Sequence, residues 1–299
     1  MKHVFIINPH AGLHTDSDLI KENVLKFSNE FDIEVFITKH EKDATKIVKN
    51  YLSTFGDNEV RFYACGGDGT LNEVINGIVN HKNASASVYP CGSGNDFVKS
   101  IGKTEDYLNL EKLLTAENKK IDVLLINDSF YCINVCNSGF DAMAARRANE
   151  LKNQGKHNSY TRGVIKALFK GMKNKITFEV DGEILNKDGK LLLCTVANAM
   201  YYGGKYKCAP SALINDGMID ACLVHTTNVI TLLKLIKQYE LGNHLNNPKF
   251  KNLVEYKRCE SVKLTSDKEF DMSVDGEIIS SKEFFVKILK NAINFGIIE

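Results

Sequence analysis

The sequence lacks any long apolar run. Its longest stretches, such as Leu191-Leu192-Leu193-Cys194-Thr195-Val196-Ala197, stop well short of the ~18 residues that suggest a membrane span. A cytoplasmic protein is therefore expected, one that meets a bilayer only from its surface. An excess of charge of one sign is also missing. Thirty-eight Lys and Arg face 37 Asp and Glu, a formal net charge of +1, so no global field draws the chain to nucleic acid, and no nucleic-acid partner is expected. The eight cysteines contain no CxxC pair and the eight histidines no HExxH or other ligand spacing, which argues against zinc. Cys132 and Cys136 fall on one face of an apparent strand, FYCINVC, and read as buried thiols. The start, MKHVFIINPHAG, has no small-residue cleavage site and reads as a first strand, not a signal peptide.

What is present describes two globular domains. The 299 residues are 43% apolar and 25% charged, which suits two cores. In the first hundred residues, strand-like runs at His3–Asn8, Ile33–Thr38, Val60–Ala64 and Ser87–Pro90 alternate with helix-like segments. This pattern predicts βαβ units and a parallel sheet. Right-handed crossovers then bring three loops to one sheet edge: NPHAG (8–12), GGDGT (66–70) and PCGSGND (90–96). From about Ile121 the pattern changes to strands and tight turns. Asn127-Asp128-Ser129, Asp181-Gly182 and Asp275-Gly276 each stand between alternating apolar residues, a hairpin signal. The second domain is thus predicted to be mainly β, with helical stretches near Ala142–Lys152, Tyr160–Lys173 and Asn228–Leu241. The basic face of Arg146, Arg147 and Lys152 reads as solvated or as a contact for lipid headgroups.

The chemistry concentrates in the glycine loops. Leu71, Val74, Ile75, Ile78 and Val79 recur with helical spacing after GGDGT, and Thr70 and Glu73 match the T-x-x-E of a capping box, which predicts a helix beginning there. Gly66, Gly67 and Gly69 let the backbone turn and approach a ligand, while the first helical N–H groups favour an anion. No Gly-Lys-Ser/Thr follows, and the final glycine of the dinucleotide pattern is missing. Asp68 beside phosphates calls either for a divalent cation shared with them or for a purely structural role at the helix N-terminus. In PCGSGNDF, Ser93 can donate to a phosphate, and Asn95 or Asp96 can cap the next helix.

The set NPHAG, GGDGTLNEVINGI and PCGSGNDF, followed by APSALINDGMID (209–220) and VDGE (274–277), resembles the soluble bacterial diacylglycerol kinase-like lipid kinases. These are kin to the catalytic domains of diacylglycerol and sphingosine kinases. The resemblance implies an ATP-dependent lipid kinase with a nucleotide-binding α/β domain over residues 1–125, of NAD kinase/diacylglycerol kinase type. Residues 288–299 would pack back onto it, and a β-sandwich lipid-substrate domain would span 126–287. ATP would be contacted by Asn8, Thr38, the loop of Gly66, Gly67, Asp68, Gly69, Thr70, Leu71 and Asn72, and Ser93. Asp68, Asp96 and Asp122 would organise Mg²⁺ through water, and Asp68 would serve in catalysis. A second Mg²⁺ would use the Asp216 carboxylate and the backbone carbonyls of Leu213 and Met218. Glu277 would accept the proton of the lipid hydroxyl. Two departures are visible, Ser93 where many relatives have threonine and Met218 where they have leucine; neither removes the group that the role needs.

VDGE occurs twice, at 180–183 and 274–277, and pattern alone does not choose between Glu183 and Glu277. A cleft between domains is the place expected for the lipid. The expected partners are ATP, a lipid substrate and a transient membrane surface, with a homodimer left open. Two competing readings are an NAD kinase, which PCGSGNDF argues against, and a non-catalytic nucleotide-binding regulator, which the intact Asp68, Asp96 and Glu277 argue against.

Overall fold

The structure, a computed structural model, describes residues 1–12, 16–143, 146 and 174–298. Strands β1 (Lys2–Ile7), β2 (Asp32–Ile37), β3 (Val60–Gly66) and β4 (Ala84–Pro90) pair in parallel in the order β2-β1-β3-β4. β1 and β3 read as near-continuous apolar runs because both faces of a central parallel strand are covered; every residue of β3 is buried. The crossovers are helical: α1 (Ser17–Leu25), α2 (Asp43–Phe55) and α3 (Asp68–Ile78). Each buries one stripe, Ala44, Val48 and Leu52 on α2 and Leu71, Val74, Ile75 and Ile78 on α3, the 3.6-residue period of an amphipathic helix. Short helices α4 (Val98–Ile101), α5 (Thr104–Tyr107) and α6 (Leu110–Thr115) lead to β5 (Glu117–Ile126). The last strand returns here. Asn294 and Phe295 of β14 (Glu277–Ile297) pair with Ser85 and Ala86, and the Ser87 hydroxyl donates to the Gly296 carbonyl at 3.1 Å.

The chain divides into two compact units, Met1–Val123 with Ile214–Asp216 and Leu289–Glu299, and Leu124–Leu213 with Gly217–Ile288. The first unit thus includes Ile214–Asp216, a segment taken from the middle of the second. A backbone bond explains it: the Asp122 N–H donates to the Ile214 carbonyl at 2.7 Å.

The second unit contains β6 (Phe130–Cys132), β7 (Val135–Gly139), β8 (Thr177–Val180), β9 (Glu183–Ile184), β10 (Leu193–Ala197), β11 (Ile219–Val224), β12 (Val254–Cys259) and β13 (Ser261–Val274). Its pairings are antiparallel along β12-β11-β10-β7-β13-β14. The three expected turns join β5 to β6, β8 to β9 and β13 to β14. Asp181 and Gly182 have φ of 46° and 85°, and Asp275 and Gly276 have 47° and 94°, the left-handed pair that a two-residue hairpin turn requires.

FYCINVC is two strands, not one. The N–H groups of Ile133, Asn134 and Val135 donate to the Asp275 carboxylate at 2.9, 3.1 and 3.0 Å, so the chain bends between β6 and β7. Cys132 and Cys136 are nevertheless buried in one core.

Alternation along β10 and β11 separates two cores. Cys194, Val196, Ala221 and Leu223 face one, with Phe178, Leu264 and Met272. Leu193, Ala197, Cys222 and Val224 face the other. β13 shifts register between Thr265 and Phe270, pairing β8 before that point and β7 after it. One long strand thereby carries both halves of the sheet around the first core, as in a sandwich.

The second core is covered by α7 (Val229–Leu241), through Leu232, Leu235 and Tyr239. Asn228 caps this helix by accepting from the Thr231 N–H, and Gly242 closes it at φ 73°. Its other side leaves Val229, Ile230, Leu233 and Leu241 exposed. The stretches expected to be helical near 142–152 and 160–173 lie outside the described residues, apart from Ala142, Met143 and Arg146. Arg147 and Lys152 lie outside them too. The Arg146 guanidinium is held by Asp271 and Ser280. Among the described residues no helix is long and apolar enough to cross a membrane.

Candidate functional site

The carboxyl ends of β1, β3 and β4 carry the three loops. Two of them touch through glycine. A Cβ on Gly92 would stand 2.4 Å from the Gly67 Cα, and one on Gly66 would stand 2.3 Å from the Thr70 hydroxyl oxygen. Real Cβ contacts do not come so close, so the loops meet backbone to backbone because both lack side chains. The N–H groups of Cys91 and Gly92 donate to the Gly66 carbonyl at 2.8 and 3.2 Å and lock the pair. Gly69 differs, because a Cβ there would meet nothing of the protein within 4 Å.

Helix α3 begins at Asp68, ahead of the expected Thr70, and the capping box does not form. The Glu73 carboxylate instead accepts from the N–H groups of Lys42 and Ala44 at 2.9 and 3.0 Å. The reason lies on α2, whose N-cap residue Lys42, at φ 65°, has no side-chain acceptor of its own. Thr70 is engaged by Asn8, whose Nδ2 donates to its hydroxyl at 3.0 Å. The N-cap of α3 is Gly67, without a capping side chain. The first turn thus presents donors and the positive end of the helix dipole at the loop.

Asn8 is fixed on both sides, since its Oδ1 accepts from the His10 N–H at 2.9 Å and its own N–H donates to the Cys65 carbonyl at 2.9 Å. Thr38, buried at the end of β2, donates its N–H to the Ile7 carbonyl at 2.9 Å.

The second loop is closed by Asn95, which does not cap α4 as expected. Its Oδ1 accepts from the Gly92 N–H and its Nδ2 donates to the Gly92 carbonyl, both at 2.9 Å. Nor does Asp96 cap the helix; it is buried and pairs with Lys99 at 2.9 Å. The cap comes from the other loop, since the Phe97 N–H donates to Asp68 Oδ1 at 3.1 Å. The second Asp68 oxygen and Asp96 Oδ2 lie 3.1 and 3.4 Å from the point where a Gly94 Cβ would stand. Gly94 therefore leaves open the space that both carboxylates border. Ser93 is exposed at the loop tip. Burial pushes the neighbouring Cys91 thiol up to about 11, so it is no nucleophile at neutral pH.

The remaining expected residues lie elsewhere. Asp122 is wholly buried in β5, and its Oδ1 accepts from the Asn291 N–H at 2.7 Å. Among the described residues no three His, Cys, Asp or Glu side chains gather as a metal-holding group. Asp216 is half-buried in the first unit, ahead of Gly217 at φ 72°, while Leu213 and Met218 are counted with the second. The two VDGE turns, alike in sequence, differ in surroundings. Glu183 is exposed and paired with Lys257, whereas Glu277 is half-buried. Their aspartates also differ. Asp275 gathers three N–H groups and the Cys132 thiol of the β6–β7 bend, and Asp181 holds the β12–β13 corner through the N–H groups of Glu260 and Ser261.

Comparison with known proteins finds two family domains along the chain. Residues 2–126 match the diacylglycerol kinase catalytic domain, and residues 134–295 match the YegS C-terminal NAD kinase beta sandwich-like domain. A diacylglycerol kinase of Staphylococcus carnosus is 30% identical over 278 residues, 91% of this chain and 87% of its own. The chain belongs to the diacylglycerol kinase family. Another relative, from Klebsiella pneumoniae and named "Probable lipid kinase YegS-like", is 28% identical over 88% of this chain and 85% of its own. In fold, the chain is similar to a diacylglycerol kinase from Bacillus anthracis, with a TM-score of 0.72 over 99% of this chain and 96% of that one at 20% identity. It is also similar to an NAD kinase from Archaeoglobus fulgidus in complex with ATP, with a TM-score of 0.51 over 99% and 94% of the two chains at 11% identity.

Two contacts of this diacylglycerol kinase family member lie outside the motifs, and only one of them carries a local signal. Lys99 was legible as the i+3 partner of Asp96 on a helix. Glu73 reaching α2 was not, since nothing local marks an acceptor that serves a neighbouring helix.

Proposed function

We propose that the chain transfers the γ-phosphate of ATP to the hydroxyl of diacylglycerol or a related lipid. The observation that carries this reading is the pair of glycine loops locked back to back, Gly67 against Gly92, with Asp68 joining one to the other. Phosphoryl transfer demands positioning and charge neutralisation above all, and this assembly supplies a rigid, donor-rich seat. The phosphates of ATP rest on the first N–H groups of α3, the Ser93 hydroxyl donates to them, and Asn8, Thr38, Leu71 and Asn72 frame the nucleotide. The open space at Gly69 admits the ligand.

Asp68 and Asp96 fit Mg²⁺. They are oxygen donors bordering one small space, and Mg²⁺ is commonly held by one or two carboxylates together with substrate phosphates and water. When bound, it neutralises the charge on the transferring group. Asp122, hydrogen-bonded and wholly buried, holds the Ile214 and Asn291 segments in place. A second, structural Mg²⁺ is assigned to the Asp216 carboxylate with the carbonyls of Leu213 and Met218, an all-oxygen set suited to a hard cation.

Glu277 accepts the proton from the lipid hydroxyl. Its half-buried place is supported by the anchored Asp275 turn. Glu183 is exposed, at the turn between β8 and β9, and is paired with Lys257. The lipid is met at a membrane surface, and the exposed apolar side of α7 supports that contact.

The shared fold with the NAD kinase makes acceptor choice the test. With labelled ATP and Mg²⁺, label should appear in micellar diacylglycerol, sphingosine, ceramide, phosphatidylglycerol or a polyprenol, and not in NAD. Label in NAD alone would move the reading to NAD kinase. Measurable ATP binding with no product at all would move it to a nucleotide-binding regulator.

A further inference from the structure

Helix α7 carries two apolar faces where its place in the fold needs one. Leu232, Leu235 and Tyr239 are buried in the second core. The opposite face, reached at i, i+3, i+4, i+7 and i+11, carries Ile230, Leu233, Lys234, Lys237 and Leu241. All five are exposed. Ile230, at 69%, is the most exposed large apolar side chain among the described residues, and Leu233 and Leu241 stand at 56% and 57%.

The charge on this face has one sign. From Thr226 to Lys251 the sequence holds Lys234, Lys237, Lys249 and Lys251 against a single acid, Glu240, in a chain whose net charge is only +1. That acid is already taken, since Lys205 Nζ pairs with Glu240 at 3.0 Å. Lys205 belongs to a hairpin closed by the reciprocal backbone bonds of Tyr202 and Tyr206, at 3.0 and 3.1 Å, with Gly203 and Gly204 at φ 63° and 83°. Its ammonium lies 5.3 Å from the centre of the Tyr206 ring, and Lys207 Nζ lies 5.6 Å from that of Tyr201. The Lys207 stem stands against Gly242, where a Cβ would come within 2.9 Å of its Cδ. The hairpin thus adds Lys207 and two tyrosine rings to the surface at the last turn of α7.

Apolar side chains interspersed with lysines suit an anionic bilayer. The hydrocarbon enters among the acyl chains, the lysine stems lie along it with their ammonium groups at the lipid phosphates, and tyrosine rings sit at headgroup level. A second copy of the chain suits the face less well. A two-fold interface sets one patch against itself, so Lys234 and Lys237 would meet lysines with no acid to pair them.

We infer that the outer face of α7 docks on an anionic lipid bilayer, with Ile230, Leu233 and Leu241 entering it and Lys234 and Lys237 pairing with lipid phosphates. The inference rests on the lipid kinase reading, whose acceptor lies in a membrane, and adds the charge of the membrane that is met and the residues that meet it.

The test is co-sedimentation of the full chain, without ATP, with vesicles of phosphatidylcholine alone and of phosphatidylcholine mixed with phosphatidylglycerol. The wild type should bind the mixed vesicles at least ten-fold more tightly, and added salt should remove the difference. Ile230→Gln with Leu233→Gln should weaken that binding at least ten-fold, and Lys234→Gln with Lys237→Gln should do the same. The two pairs are independent, so either tests the face if circular dichroism shows the other to be unfolded. Ile184→Gln with Lys187→Gln, exposed elsewhere in the same unit, is the control and should bind as the wild type does. A matching transfer assay should show Ile230→Gln with Leu233→Gln losing vesicle-borne diacylglycerol at least ten-fold more than water-soluble dihexanoylglycerol. No binding by the wild type, equal binding to neutral and anionic vesicles, wild-type binding by either folded pair, or an equal loss in the control would overturn the inference. So would a dimer in sedimentation velocity that Ile230→Gln with Leu233→Gln dissolves, since the face would then belong to a second copy. Failure of the kinase reading looks different, with vesicle binding that depends on these residues but no lipid phosphorylated.

Discussion

Gly69→Ala separates glycines required by the fold from glycines required by a ligand. Gly69 lies in the first turn of α3 and is exposed, and a Cβ there has no protein atom within 4 Å. An alanine in a helix is favoured over glycine by roughly 0.5–1 kcal/mol. The variant should therefore be slightly more stable, by about 1–3 °C in Tm for a chain of this size. If the space beside Gly69 is where phosphates sit, the added methyl intrudes on them. The KM for ATP should rise at least ten-fold, equivalent to about 1.4 kcal/mol of binding. Gly92→Ala makes the contrast. Its Cβ would stand 2.4 Å from the Gly67 Cα against an ordinary contact of 3.4 Å, so the loops must part by 3.4 − 2.4 = 1.0 Å. A shift of that size can cost about 100-fold in rate, and overpacking destabilises by roughly 1–3 kcal/mol. Calorimetry and steady-state kinetics on the two variants settle the matter. A stable Gly69→Ala with wild-type KM for ATP would refute the placement of the phosphates at α3.

Three further outcomes follow from the geometry. Asp275→Ala leaves three backbone N–H groups of the β6–β7 bend without their acceptor, and should lower stability in urea titration by roughly 3 kcal/mol; an unchanged midpoint would contradict the anchoring role. Glu73→Ala removes the acceptor at the start of α2 and should cost about 1 kcal/mol while leaving ATP affinity intact, as nucleotide titration would show. Burial lowers the imidazoles of His3 and His244 to about 4 from 6.5, so the unfolded chain protonates first and stability, complete above pH 6.5, is lost as pH falls toward 4. Asp141, raised by burial to about 6, works in the opposite sense, but one carboxyl does not offset two imidazoles. Urea midpoints should fall between pH 7 and pH 5, and His244→Gln should flatten that fall by about 2 kcal/mol.

Much of this was legible in the sequence wherever a local pattern states a local need. The burial stripe of α3, the Asp-Gly hairpins and the glycine loops at strand ends all belong to that class, because period, turn conformation and the absence of a Cβ are properties of neighbouring residues. The misreadings share a different cause. Glu73, Asn95 and Asp68 satisfy backbone donors far along the chain or across a loop, and a motif such as T-x-x-E does not reveal a competing donor 29 residues away in sequence. FYCINVC read as one strand because its alternation is unbroken, yet the Asp275 carboxylate, some 140 positions on, takes the N–H groups that a ladder would have used. The choice between two identical VDGE turns lay beyond pattern for the same reason, since only tertiary neighbours distinguish an exposed, paired glutamate from a half-buried one.

The most direct test of the central claim is single-turnover transfer of labelled γ-phosphate from ATP to diacylglycerol by the wild type, Glu277→Gln and Glu183→Gln, with ATP affinity measured on each. The account predicts product from the wild type and Glu183→Gln, a loss of about 10²–10⁴ in rate for Glu277→Gln, and equal ATP affinity for all three. Wild-type transfer by Glu277→Gln, or its loss in Glu183→Gln alone, would contradict it.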